Sequence, residues 1–252
     1  MNNNEIIQET YKLPSLGKLN NIKDSVTLRP MTTDEELLRL DATGREANRV
    51  FCDIIDACVV EPKKFKSYYL PIQDQVFLLY KLRTVTYGSK YNVSLICPHC
   101  GSPITLDVDL DSLPINYIEE EEFRKINEYT LPKTGDHIKQ KILTPALQDD
   151  IDSALEDKKE KLNRPLKPSE VVLERLCLRI AQVNGETMIP EMVKNYLRGL
   201  SAVDFQTIKT HDVYLKTFGI QTAGIKTRCP QCMLEFKFAL PLTKEFFEPE
   251  YL

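Results

Sequence analysis

The sequence contains two short cysteine motifs, CPHCG at residues 97–101 and CPQC at residues 229–232. In each motif two residues separate a pair of cysteines, and a tight turn of this length directs both thiolates toward one tetrahedral ion. The pairs are Cys97 with Cys100 and Cys229 with Cys232, and together they supply the four ligands of a structural zinc site. About half of the chain lies between the pairs, so the fold has to bring them together.

The residues around the first motif alternate between apolar and polar side chains, over residues 91–96 before it and 104–110 after it. This alternation predicts that the motif forms the tip of a β-hairpin, and the second motif has a similar setting. A thiol-redox site is the main alternative for this cysteine spacing, but it predicts a pair at the start of a helix. His99 lies inside the first spacer and is expected to point away from the metal. With four cysteine ligands, the predicted Zn²⁺ site is structural and has no position left for a substrate.

The composition of the chain narrows the class of protein. It has 252 residues and a formal net charge of -4, and no apolar run approaches the roughly 18 residues of a membrane-spanning helix. Nucleic-acid binding generally needs an excess of Lys and Arg, which this chain lacks, so proteins are the expected partners. The N-terminal residues do not resemble a signal peptide, so a reducing cytosol is expected. Cys52, Cys58 and Cys177 lie in apolar helical stretches and are expected to be buried.

Several features occur twice along the chain in the same order. The sequence YKLPSLG at residues 11–17 matches YTLPKTG at residues 129–135, and an acidic helix start follows each of them. Further on, TYG at residues 86–88 and TFG at residues 217–219 each end an apolar helix that begins near an aspartate, and a cysteine motif follows. We therefore predict a duplicated chain in which each half donates one cysteine pair.

The duplication predicts the domain organisation. Residues 1–118 form the first half with an N-terminal arm, residues 119–128 form an acidic connector, and residues 129–252 form the second half with a helical insertion. The predicted fold class is α+β and mostly helical, with two pseudo-symmetric halves joined through a central, zinc-ribbon-like pair of β-hairpins. Because the halves share one metal, they are expected to behave as a single zinc-stapled body.

Two local predictions follow from the hydrophobic pattern. Residues 34–60 carry an apolar stripe typical of a core-facing helix or a broken helix pair, with Gly44 as the break. The first 25 residues are typical of an extended arm that docks on a partner, docks on the body of the protein, or is disordered. Strands are expected largely in the two hairpins.

The sequence gives little support for catalysis. Its three histidines, His99, His137 and His211, have no evident catalytic partners. Phosphate-binding loops, nucleophile elbows and zinc-protease helices have recognisable motifs, and none of them is found. We therefore expect that the protein is not an enzyme.

The order of these motifs resembles the T4-type phage baseplate hub and hub-assembly protein family, over nearly the whole chain. The motifs are LPSLG at 13–17, TYG at 86–88, LPKTG at 131–135, EFFEP at 245–249 and the two cysteine motifs. The resemblance implies a non-enzymatic structural or assembly protein of the baseplate hub of a contractile tail, with other baseplate hub or tail proteins as partners. It also implies a location in the host cytoplasm during assembly, and it leaves open whether the protein stays in the virion's tail baseplate.

Two other classes of protein stay open on the sequence. The first is a zinc-ribbon nucleic-acid-binding or transcription-related module, and the second is a thiol-redox or metal-dependent enzyme. For the first class, the second predicted hairpin is basic and the first is acidic, so the combined surface is not basic. The residues concerned are Lys226, Arg228, Phe236 and Lys237 in the second hairpin and Asp107, Asp109 and Asp111 in the first.

Overall fold

The computed structural model of the chain describes residues 7–19, 22–41, 47–119, 126–211, 218–240, 242 and 244–247. These residues contain seven α-helices and several small antiparallel sheets, which confirms the predicted α+β class. Within the same ranges, no helix has both the length and the apolar character that a membrane crossing requires. Strands also occur well outside the two predicted hairpins, so the expectation that they would be largely confined there is wrong.

The N-terminal arm forms the edge of the first sheet. Strand β1 (Glu9–Lys12) pairs antiparallel with β2 (Ser25–Leu28), and β2 pairs with β3 (Val59–Glu61). Leu13, which follows β1, is fully buried, and Val26 in β2 is almost fully buried. Of the three possibilities for the arm, docking on the body of the protein is therefore the one observed for its described residues, 7–19 and 22–25.

The predicted apolar stripe forms two helices, α1 (Thr33–Asp41) and α2 (Ala47–Cys58). Ile54, Ile55 and Cys58 of α2 face the core. In α1, Leu37 and Leu40 are 56% and 62% exposed, so the prediction of a core-facing stripe is wrong for this helix. Gly44, the predicted break, lies outside the described residues.

Helix α1 is held at its start by a polar contact instead of an apolar face. The Glu35 carboxylate accepts hydrogen bonds from the Arg29 guanidinium at 2.7 Å and from the Thr32 amide at 2.7 Å. The contact with Arg29, followed by those with Thr32, lowers the pKa of Glu35 to about 2. This ion pair, in which Glu35 is buried and Arg29 is half-buried, explains how α1 is positioned although its leucines face solvent.

Helix α3 (Ile72–Tyr87) is the centre of the larger core. Its apolar residues with at most 2% exposure are Phe77, Leu78, Leu79, Tyr80 and Leu82. Arg83 is also buried and donates hydrogen bonds to the carbonyls of Gly88 and Phe246. Phe246 belongs to a 3-10 helix, Lys244–Phe247, and its ring lies 4.6 Å from the ring of Tyr80. The C-terminal EFFEP motif thus packs on α3, although its last two residues lie outside the described part.

After α3 the chain forms the first predicted hairpin. Strands β4 (Lys90–Ile96) and β5 (Pro103–Asp109) pair antiparallel, with Ile96 opposite Pro103 beside the first cysteine motif. A 3-10 turn at Leu110–Ser112 and the short strand β6 (Ile115–Asn116) follow. The connector predicted at residues 119–128 comes next, and its residues 120–125 lie outside the described part.

A second antiparallel sheet begins at residue 128. Its spatial order is β10-β9-β8-β7, and the strands are β7 (Glu128–Thr130), β8 (His137–Gln140), β9 (Ile180–Val183) and β10 (Glu186–Thr187). Four helices accompany it: α4 (Pro145–Leu162), α5 (Pro168–Arg179), α6 (Pro190–Gly199) and α7 (Ala202–Thr210). The sheet and helices α5, α6 and α7 enclose a smaller core. Helix α4 and the loop after it contain the predicted insertion at residues 152–168.

The chain then returns to the first part of the molecule. Strand β11 (Gly219–Ile220) pairs with β6, and the second predicted hairpin follows as β12 (Ala223–Arg228) and β13 (Glu235–Ala239). Gly219 has a φ of 112°, and a Cβ at this position would lie 3.2 Å from Cβ of Gln73 in α3. The close approach of β11 to α3 therefore favours glycine here.

The three-stranded sheet β1–β3 and the four-stranded sheet β7–β10 have corresponding contacts near their first strands. In the first, the Ser15 amide donates to the buried Asp74 carboxylate at 2.9 Å, and in the second the Lys133 amide donates to the buried Asp204 carboxylate at 2.9 Å. Asp74 and Asp204 are each the third residue of their helix, α3 and α7. Sheet pairing is irregular at Thr27/Leu28 of β2 and again at Lys139/Gln140 of β8.

The burial of Asp74 predicts a specific pH dependence of stability. Burial raises the pKa of Asp74 from its ordinary value of 3.8 to about 6, against the opposing hydrogen bonds from Ser15. Between pH 3.8 and about 6 the folded state therefore holds a proton that the unfolded state has lost, so this group favours folding most at low pH and the benefit falls as pH rises through 6. Between pH 5 and 7, we expect the stability of Asp74→Asn relative to wild type to rise by on the order of 1 kcal/mol.

Urea unfolding of both proteins at pH 5, 6 and 7 measures this difference. Asp107→Asn, at an exposed position of β5, is the matched control and should show a constant difference from wild type. A pH-independent difference for Asp74→Asn would contradict the assignment.

Candidate metal centre

The two cysteine motifs fold into turns with the same hydrogen bonds. In the first, the Gly101 amide donates to the Cys97 carbonyl at 2.9 Å, and in the second the Met233 amide donates to the Cys229 carbonyl at 2.9 Å. The residue that closes each turn has a positive φ, 73° at Gly101 and 60° at Met233. Glycine adopts this conformation without cost, whereas Met233 is held in it by the surrounding structure.

The turns bring four thiols together. All four sulfur atoms lie within 4.8 Å of one another, although the pairs are remote in sequence. Cys97 Sγ is 3.8 Å from Cys232 Sγ, and Cys100 Sγ is 3.7 Å from Cys229 Sγ. These separations far exceed the roughly 2.05 Å of a disulfide bond, so all four residues are thiols.

The geometry of the cluster fits a tetrahedral metal ion. Metal to sulfur distances of about 2.3 Å in a zinc tetrahedron require sulfur to sulfur distances of about 3.8 Å. The observed values of 3.8 and 3.7 Å match this requirement. The four cysteines can therefore hold a metal ion, and they would fill its coordination shell without help from solvent.

The base of the cluster is apolar and its tip is open to solvent. Cys97 and Cys229 are 1% and 0% exposed, and they pack with Ile104 and partly buried neighbours from both hairpins. Cys100 is exposed and Cys232 is half-buried. The two hairpins thus meet through their inner faces directly below the sulfur atoms, and the cluster lies at the end of that contact.

The thiols of the cluster do not ionise alike. Hydrogen bonds from the hydroxyl and then the amide of Ser102 lower the pKa of Cys100 to about 6. At Cys232 the amide of Leu234 acts to lower the pKa, but desolvation and the neighbouring cysteines outweigh it and raise the pKa to about 12. Thiolates at this spacing repel one another, and a bound cation removes that repulsion.

The remaining residues named from the sequence lie outside this cluster. His99 Nε2 is 3.3 Å from the Glu235 carbonyl, across the two hairpins, and the imidazole is not part of the sulfur cluster. His211 is buried, stacks on Tyr129 and has its Nε2 3.2 Å from the Ile126 carbonyl. His137 lies 3.5 Å from a Glu128 carboxylate oxygen at the surface.

The other three cysteines are buried, as predicted. Burial raises the pKa of Cys52 to about 11, of Cys58 to about 12 and of Cys177 to about 11. A thiol with a raised pKa is a poor nucleophile at neutral pH, so these residues act as small apolar side chains.

Sequence reasoning did not identify the buried aspartates Asp74 and Asp204. Each contacts the loop after the first strand of its sheet, about 60 to 70 residues away in sequence. The only signal was the aspartate near the start of each apolar helix, which is also an ordinary feature of helix N-termini.

The chain was compared with protein families, curated proteins and solved structures. A family model described as "T4 bacteriophage base plate protein" matches residues 6–248, nearly the whole chain. No curated protein and no solved structure matches. The family match agrees with the resemblance inferred from the order of the sequence motifs.

Replacing one cysteine of the cluster tests metal binding. Metal analysis of the purified wild type should give about one ion per chain, and Cys97→Ser should lose most of it because one of four ligands is removed. The variant should also unfold at lower temperature, since metal binding is coupled to folding. Cys177→Ser, which changes a buried thiol outside the cluster, should keep its metal. A soluble, metal-free Cys97→Ser protein with wild-type stability would refute the structural role.

Proposed function

The chain belongs to the T4 bacteriophage base plate protein family, and on that premise we propose that it is a non-enzymatic structural or assembly protein of the baseplate hub, with one structural Zn²⁺ ion. Its family makes it a tail baseplate protein with phage tail proteins as partners. The position at the hub, rather than elsewhere in the baseplate, is the finer part of the proposal. The observation that carries the structural role is the cluster of four cysteine sulfurs, which leaves a metal ion no position for a substrate.

Zinc is the metal that this donor set favours. Four thiolates in a tetrahedron are soft ligands, and zinc is redox-inert with no geometric preference of its own, so it suits a purely structural site. Cys97 and Cys100 would hold it from the first hairpin, and Cys229 and Cys232 from the second. When bound, the ion contributes folding free energy and links two segments that are remote in sequence.

We further propose that the chain consists of two similar halves, residues 1–118 and 129–252, joined by the segment 119–128 into one zinc-stapled body. Three observations support this. Each half has an antiparallel sheet with an irregular second strand, a buried helix-start aspartate under the first loop, and a cysteine hairpin. A duplication of this kind accounts for the long spacing between the cysteine pairs.

Contacts between the proposed halves support a single body. Strand β6 of the first half pairs with β11 of the second. Phe246 and Phe247 at the end of the second half are at most 1% exposed within the larger core around α3, and Ile220 of β11 belongs to the same core. The second half therefore contributes two segments to the core of the first, and the two are expected to unfold together.

The polar groups of the core support a non-enzymatic role. Asp74 and Asp204 each bind backbone amides of a loop, and Arg83 binds two carbonyls. These charged side chains are buried and hold chain segments in place, whereas catalytic groups have to face a site that substrate can reach. Assembly through surface contacts requires such a rigid body and no reactive group.

One observation favours the alternative, a nucleic-acid-binding module. Lys226 and Lys237 stand directly opposite each other on the exposed face of β12 and β13. Arg228 lies beside them and is paired with Glu235 at 2.9 Å. Like charges in this arrangement repel and destabilise the hairpin unless a negative partner neutralises them. Basic hairpins of this kind contact nucleic-acid backbones in zinc-ribbon proteins.

A DNA-binding measurement separates the two functions. If the baseplate proposal holds, purified zinc-loaded protein should show no retention of labelled duplex DNA at about 0.15 M salt. Salt-dependent binding that Lys226→Glu/Lys237→Glu abolishes would instead support the nucleic-acid module.

The baseplate role is tested in phage that carry the altered gene. Cys229→Ser should reduce the yield of complete tails strongly, because loss of the metal separates the two hairpins. Cys177→Ser is the control and should assemble tails at close to wild-type yield. Electron microscopy of lysates counts the tails and baseplates. Normal tails from a Cys229→Ser phage whose protein lacks zinc would overturn the proposal.

Mass spectrometry of purified virions separates the two forms of the proposal. If the protein is a hub component, washed virions should contain peptides of this chain. If it is an assembly factor, washed virions should lack these peptides while Cys229→Ser phage still show an assembly defect.

A further inference from the structure

A pocket of about 380 Å³ lies beside β3. It is lined by residues of the loop at 62–70 and by Ile22 and Lys23. The buried side chains of Phe65 and Leu70 form an apolar floor, and they are 8% and 2% exposed. The pocket therefore offers a concave apolar surface to an incoming side chain.

Four lysines line this pocket, and no aspartate or glutamate does so among the described residues. They are Lys23, Lys63, Lys64 and Lys66, and all four are exposed. The cavity thus combines an apolar base with a strongly positive rim. A ligand that matches both features needs a large apolar group flanked by negative charges.

Two of the four lysines already have partners, and two do not. Lys66 lies 3.2 Å from an Asp56 carboxylate oxygen. Lys63 donates to the Val60 carbonyl at 2.9 Å and lies 3.7 Å from a Glu61 carboxylate oxygen. Lys23 and Lys64 make no ion pair within the part of the chain that the structure describes. Their positive charges are therefore the ones that an anionic partner would neutralise.

The walls of the pocket are fixed before any ligand arrives. On one side, a Cβ at Gly17 would lie 2.3 Å from the Ile22 carbonyl oxygen, so this loop is closely packed. On the other side, the Ser67 amide donates to Asp56 at 2.7 Å and the Ser67 hydroxyl donates to the Cys52 carbonyl at 3.0 Å. A preformed pocket lowers the ordering cost of binding.

We propose that this pocket is a docking site for an acidic segment of a partner tail protein that inserts one large apolar side chain. The side chain would rest on Phe65 and Leu70, and flanking carboxylates would pair with Lys23 and Lys64. The identity of the partner as a tail protein rests on the proposed function, whereas the chemistry of the segment rests on the pocket alone. A protein segment is favoured over a nucleic acid, because the chain as a whole is negative and lacks the excess of Lys and Arg that nucleic-acid binding needs.

Binding is measured on the full-length zinc-loaded protein by titrating isotope-labelled protein with synthetic peptides and recording amide chemical shifts. The probe peptide has the sequence Glu-Asp-Phe-Glu-Asp, and a second peptide has alanine in place of phenylalanine. The expected result is a saturable shift of amides in residues 22–23 and 63–70 with the phenylalanine peptide. The alanine peptide should bind several-fold more weakly, because it leaves the apolar floor uncovered.

Charge reversal at the pocket provides the matched comparison. Lys23→Glu/Lys64→Glu should weaken peptide binding by about tenfold or more, because it replaces attraction with repulsion. The control Lys161→Glu/Lys209→Glu makes the same change of net charge at exposed positions on α4 and α7, and it should bind as wild type does. The spectra also show that each variant is folded.

Four results would overturn the proposal: no shift at the pocket, equal binding of the alanine peptide, an equal loss in the control variant, or tighter binding of an oligothymidine at the same amides. The last result would assign the pocket to nucleic acid. Since the measurement uses purified protein, its outcome is independent of whether tails assemble, and the two proposals can fail separately.

Discussion

Four thiols that come from two hairpins have to meet within 4.8 Å, and this requirement organises the molecule. It fixes the tips of β4 and β5 against those of β12 and β13, so the inner faces of both hairpins share one apolar contact below Cys97 and Cys229. The chain segments that leave the hairpins are then directed across the molecule. One segment pairs β6 with β11, and the other brings Phe246 onto α3.

Parts of this arrangement could be predicted because they depend on residues close in sequence. Each cysteine motif is a local turn flanked by alternating strands, and both features are visible in a few residues. The short strands β1 and β7 were missed, since four or three residues carry too little alternation to be recognised. The contact of Ser15 with Asp74 was missed for another reason. It joins residues 59 positions apart, and no pattern in a single sequence pairs them.

The exposure of Leu37 and Leu40 shows how a polar contact can override a hydrophobic pattern. The stripe in α1 has the spacing of a core-facing helix, yet the ion pair of half-buried Arg29 with buried Glu35 sets the position of the helix start. Separating this pair would leave the buried Glu35 carboxylate without its partner, which is costly, so the helix follows the pair and leaves its leucines at the surface. Sequence periodicity cannot anticipate this, because it weighs only the apolar residues.

The differences between the proposed halves are more informative about function than their likeness. The halves share features that account for folding. These are the sheets with an irregular second strand and the buried residues Asp74 and Asp204. The lysine-lined loop at residues 62–70 has no counterpart after β9, where a short turn at Asn184 suffices for the same change of direction. Because the second half folds without such a loop, the loop is not needed for folding and is available for binding. The buried charges of Asp74, Asp204 and Arg83 hold segments of the chain itself, so specificity for partners is expected to reside in surface features of this kind.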